Sequence, residues 1–144
     1  MKIPALILKQ LYTFGSLENI PGGVRFAIKN RLSDATLLRL RGVRINGEDV
    51  AIERITFHLG EGREVRASEV NPDSPVAFPL RQVVHIKAEN AKLDNGTHEI
   101  TISFEAKPFG YLSFTVKDTI AEVKHNRVTV PQDNANNYPP GVVT

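Results

Sequence analysis

The stretch Leu93-Asp94-Asn95-Gly96-Thr97-His98-Glu99-Ile100-Thr101-Ile102-Ser103-Phe104 constrains the fold more than any other. An Asn-Gly turn feeds a run in which Ile100, Ile102 and Phe104 alternate with polar residues. Asn and Gly tolerate positive φ, and successive strand side chains point to opposite faces, so this run has one apolar face. The same alternation recurs in Val24, Phe26 and Ile28, in Ile55, Phe57 and Leu59, and in Leu112, Phe114 and Val116. No window keeps apolar residues at helical spacing across three turns. The expected fold is all-β: an antiparallel β-sandwich, immunoglobulin-like or jelly-roll-like, with little helix and an extended C-terminal tail.

Breaks between these runs set the organisation. Leu11 to Asn19 reads as a first extended segment, Pro21-Gly22-Gly23 as a turn, and Asn30 to Asp34 as a second break. Thr36 to Ile45 is a long strand with Leu38, Leu40 and Val43 inward and a bulge marked by Gly42. Asn46-Gly47 closes a tight hairpin, and Gly60-Glu61-Gly62 ends the next strand, which together read as a meander. Arg63 to Val70 fits a strand or a short helical turn. Leu80 to Ala88 places Val84 and Ile86 on one face, Val83 and His85 on the other. Lys107-Pro108-Phe109-Gly110 is a hairpin loop.

A chain of 144 residues is expected to form one domain, here residues 1–122, followed by a polar, proline-rich tail over 123–144. The tail lacks the apolar area to offset its own ordering, so it is either disordered or laid along a partner, with Tyr138 as the anchor. Cysteine is absent, which excludes disulfides, thiolate metal sites and cysteine nucleophiles and suits a cytoplasmic location. No stretch approaches the ~20 apolar residues of a membrane helix, and Lys9 interrupts a first apolar run too short for a signal sequence. The net charge is +2. Arg39, Arg41 and Arg44, with Arg25, Lys29 and Arg31 upstream, read as a solvated or partner-facing stripe. No aromatic side chains interleave with them to stack bases, so nucleic acid is not an expected partner.

The chemistry-bearing residues form no motif. His58, His85, His98 and His125 lie in separate segments without the short local pair common in zinc sites. As the best general-base residue type, His58 and His98 are the first to test. Glu48, Asp49, Glu61, Glu64, Glu99, Glu105 and Asp118 show no spacing that selects an acid–base pair. The serines lack a nucleophile elbow, and no helix follows the glycine turns to bind phosphate. No catalytic, cofactor-binding or metal residue is assigned in this chain. The aromatic pair at Pro108-Phe109-Gly110-Tyr111 stands out instead. Either one ring folds back over the end of the sandwich, or Phe109 and Tyr111, with Tyr138, anchor a partner.

The pattern of Gly15-Ser16-Leu17-Glu18-Asn19, Gly23-Val24-Arg25-Phe26, Val43-Arg44-Ile45-Asn46-Gly47-Glu48-Asp49-Val50, Ile55-Thr56-Phe57 and Leu93 to Ile102 resembles the small (beta) subunit of bacterial C-glycoside deglycosidases. That resemblance implies an accessory subunit of a heteromeric carbon–carbon lyase acting on 3-oxo-C-glycosides. The general bases and a divalent metal would sit in a larger barrel-type catalytic subunit, whose site this chain would help shape. The competing expectation is a non-catalytic β-sandwich assembly or binding module whose edge strands pair with copies of itself. A carbohydrate-binding module fits less well, because Trp is absent.

Overall fold

The computed structural model describes residues 3–121. A short helix α1 (Ala5–Leu8) runs into a 3-10 turn (Lys9–Leu11) and is followed by ten strands. These are β1 (Glu18–Ile20), β2 (Gly23–Lys29), β3 (Ala35–Ile45), β4 (Glu48–Val50), β5 (Ile55–Gly60), β6 (Arg63–Arg66), β7 (Val76–Phe78), β8 (Val83–Glu89), β9 (Gly96–Lys107) and β10 (Gly110–Ile120). One sheet has the order β1-β2-β8-β5-β6; the other runs β10-β9-β3-β4, with β7 also paired to β3. The pairs are antiparallel and the two sheets face each other, so the sandwich expectation is borne out.

Alternation determines the core. Val24, Phe26, Ile55, Phe57, Val84 and Ile86 from the first sheet meet Val43, Ile100, Ile102, Phe104, Leu112 and Phe114 from the second in a single buried cluster. Fully burying side chains of this kind stabilises the fold by roughly 2 kcal/mol each.

Local pattern and observed topology part company in several places. The expected meander is a chain that changes sheet after β2, β4, β6, β7 and β8. Asn46-Gly47 makes the expected tight hairpin, with φ of 53° and 83°. Asn95-Gly96 does not. The segment before it has no alternating run to pair with β9, so residues 90–95 cross between sheets and Gly96, at φ 121°, begins β9. The first extended segment is broken by Gly15 at φ 90°; Tyr12 only bridges to Ile28, and β1 starts at Glu18. Within β3 the register shifts twice, once at the expected Gly42 and once between Leu37 and Arg39. Each extra residue reverses which face its neighbours occupy, so Leu37 rather than Leu38 is buried. Arg63 to Val70 holds both readings, a strand and then a 3-10 turn over Ala67–Glu69.

One buried amide ties two crossings together. Asn30, 1% exposed, donates through Nδ2 to the carbonyls of Ser33 (2.7 Å) and Phe78 (2.6 Å) and accepts from the Leu32 N–H. Its backbone N–H donates to the Gln82 carbonyl, and its own carbonyl accepts from the Arg81 N–H. The 123–144 tail, with Tyr138 and His125, lies outside the described residues.

Candidate functional site

Among the described residues the most buried charged group is Asp118, which faces inward from β10 beneath the N-terminal segment. Its carboxylate accepts from the Tyr12 hydroxyl (2.8 Å), from the N–H groups of Gly15 (3.0 Å) and Leu17 (3.2 Å), and from the Thr119 N–H (2.9 Å). Burial opposes ionisation, but the Tyr12 hydroxyl and these backbone donors outweigh it and hold the carboxyl below its usual range. Burial, then the adjacent carboxylate, pushes the Tyr12 phenol well above its usual value. A carboxylate whose acceptor sites are occupied by fixed donors is an anchor, not a proton carrier. The sequence carried one signal for it: the inward series Leu112, Phe114, Val116 continues to an acid at position 118.

The outer face of the first sheet is polar. Register places Glu18, Arg25, Lys87, Thr56 and Arg66 in one row across five strands. Arg25 is held by Glu18 at 2.6 Å. In the next row His85 stands opposite His58, whose Nε2 lies 3.3 Å from Glu64 Oε2. A cleft of about 250 Å³ opens beside the β1–β2 turn, lined by Pro21, Gly22, Gly23, Arg54, Lys87 and Glu89 among others. It presents two cations and one carboxylate to a polar ligand.

The outer face of the second sheet is a ladder of hydroxyl pairs. Thr97 meets Thr119 at 3.1 Å, Thr101 meets Thr115 at 2.8 Å, and Ser103 meets Ser113 at 2.7 Å. Arg39 and Arg41 share this face, as their spacing predicts, and both reach Glu105, at 3.4 and 2.6 Å. Arg44 pairs with Asp49 at 2.9 Å. Arg31 is elsewhere, donating to the Gln10 and Tyr12 carbonyls and clamping the N-terminal segment.

The aromatic pair of the β9–β10 loop separates. Phe109 folds against the core, beside Leu11, Leu32, Phe78 and Leu112, whereas Tyr111 is 61% exposed. His98 is engaged at both ring nitrogens: Asn46 Nδ2 donates to Nδ1 (3.0 Å), and Nε2 donates to the Asp94 carbonyl (2.7 Å). It buttresses the Asn46-Gly47 hairpin. Among the described residues no group of three His, Asp or Glu side chains is arranged to hold a metal ion. Among the same residues no helix is long and apolar enough to cross a membrane.

These features define a two-sheet sandwich whose polar groups serve mainly to fasten it. The chain belongs to the hydroxymethylglutaryl-CoA reductase N-terminal domain family, whose model matches residues 7–121. No curated protein matches it. The family match overturns the C-glycoside deglycosidase resemblance, and with it the reading of this chain as the accessory subunit of a lyase acting on 3-oxo-C-glycosides. The residues behind that resemblance explain the error. Gly15, Gly23 and Asn46-Gly47 are turn and close-approach positions, and Ile55-Thr56-Phe57 and Leu93 to Ile102 are strand alternation and its approach. Such features specify a sandwich, not a lineage. The metal-bearing barrel partner rested on the same resemblance.

Proposed function

We propose that this chain is a non-catalytic domain working with the catalytic part of a hydroxymethylglutaryl-CoA reductase, in the cytoplasm. The observation that carries this reading is the extent of the family match, which takes in all ten strands of the sandwich. Its interior polar groups support the same reading. Asp118 and Asn30 are engaged by fixed partners, so they fasten chain segments instead of reacting. The lack of cysteine suits the cytoplasm. In this reading the chain contributes placement and contact surface, and the reduction occurs on another polypeptide or domain.

The test is to purify the full chain from its native source and assay it for reductant-dependent consumption of hydroxymethylglutaryl-CoA, then identify what purifies with it. The expected result is no turnover by the chain alone and recovery of a reductase catalytic chain with it. Turnover by the isolated chain, or its recovery without any reductase, would overturn the proposal.

A further inference from the structure

We infer that two copies of this chain pair antiparallel through β10, about a two-fold axis at Thr115. An exposed sheet edge presents unpaired N–H and C=O groups, and proteins limit the hazard with short edges, charges, bulges or proline. The other sheet edges here follow that rule. β1 and β4 have 3 residues each, and β6 has 4, two of them arginines. β10 has 11 residues, and its register with β9 is unbroken over its whole length. It contains no proline, and among the described residues it pairs with β9 alone. Alternate residues of such a strand direct their N–H and C=O groups away from β9.

Exposed apolar side chains gather at the same edge. Phe14 is 59% exposed and lines a groove of about 420 Å³ with Lys9, Glu99, Thr115, Val116 and Lys117. Leu6 and Ile7 are exposed on α1, which packs against β10, and Tyr111 is exposed on β10 itself. A second strand laid along this groove would cover backbone and rings together.

The strand is complementary to itself. Its one outward charge is Lys117; Asp118 points inward and is already bonded. With the axis at Thr115, Ser113 of one copy faces Lys117 of the other, and Tyr111 faces Thr119, so no like charges meet. The hydroxyl ladder would continue from sheet to sheet through Thr101, Thr115 and their symmetry mates. A symmetric contact of this kind closes on itself and stops at two copies.

Sedimentation of the full chain tests this, with an expected mass about twice the 16.0 kDa of one chain. Thr115→Lys and Thr115→Glu each place like charges at the axis and should halve that mass while keeping the thermal transition. Mixing the two variants should restore the doubled mass. Ser113→Lys, which opposes Lys117 of the other copy, should weaken pairing at least tenfold and serves if a Thr115 variant does not fold. A wild-type chain that stays single across the micromolar range, or charge variants that still pair alone, would overturn the inference. So would a mixture that fails to reassociate.

Discussion

The Tyr12 hydroxyl donates to the Asp118 carboxylate at 2.8 Å, joining positions 106 residues apart. The same carboxylate holds the Gly15 and Leu17 N–H groups, so one side chain fixes the path of residues 12–17. Asp118→Ala should therefore cost about 3 kcal/mol, because several buried donors lose their acceptor at once. Tyr12→Phe removes a single donor and should cost about half as much. Urea titration at neutral pH measures both.

The acid limb of stability follows from the same contacts. Asp118 stays ionised in the folded protein to lower pH than in the unfolded chain, where a free carboxyl titrates near ~4. Its contribution is complete above that value and is lost as pH falls through the lower, folded-state value. In Asp118→Asn this group's contribution to the acid slope should vanish. An unchanged slope would assign acid sensitivity to other carboxylates.

Asn30 gives a second test of a buried polar tie. Asn30→Leu leaves the Ser33 and Phe78 carbonyls and the Leu32 N–H without their present partner. The expected loss is about 2–3 kcal/mol despite the added apolar surface. A neutral or stabilising result in chemical denaturation would show that water replaces the amide.

Two adjacent glycines should respond differently to alanine. At Gly23 an added methyl would overlap the Ala88 carbonyl across the β2–β8 pair, and neither backbone can yield without opening the ladder. Gly23→Ala should cost about 3 kcal/mol or prevent folding. Gly22 faces open space at φ 84°, so Gly22→Ala pays only for its left-handed backbone, about 1 kcal/mol. Comparing their thermal transitions separates packing from conformation.

Phe109 and Tyr111 should divide in the same way. Phe109→Ala uncovers the end of the core formed by Leu11, Phe78 and Leu112 and should lower stability by about 2 kcal/mol. Tyr111→Ala removes a ring that is mostly exposed in a single copy and should change the stability of the unpaired chain by less than about 0.5 kcal/mol. Equal effects in calorimetry would contradict the separation described above.

Sequence pattern revealed the layers of this protein better than their connections. Ile100, Ile102 and Phe104 announced a buried face because burial in a strand repeats every two residues. Arg39 and Arg41 announced a shared outer face, and Gly42 announced a bulge. Which sheet a strand joins is a long-range choice, so Asn46-Gly47 and Asn95-Gly96 looked alike and behaved differently. The site residues were less legible. His98 read as a base because its bonds to Asn46 and Asp94 arise only after folding, and Asp118 was hidden among carboxylates until its inward position was seen. Phe109 and Tyr111 could not be told apart while the direction of each ring was unknown.

The repeated exchange of the chain between layers bears on biosynthesis. Neither half of the polypeptide contains a complete layer, and the first segment waits for a carboxylate encoded near the end of the described region. Assembly on the ribosome must therefore be late and cooperative, as in other topologies dominated by distant contacts. A nascent chain stalled before Asp118 emerges should remain open to protease, and release past Ile120 should bring resistance in a single step.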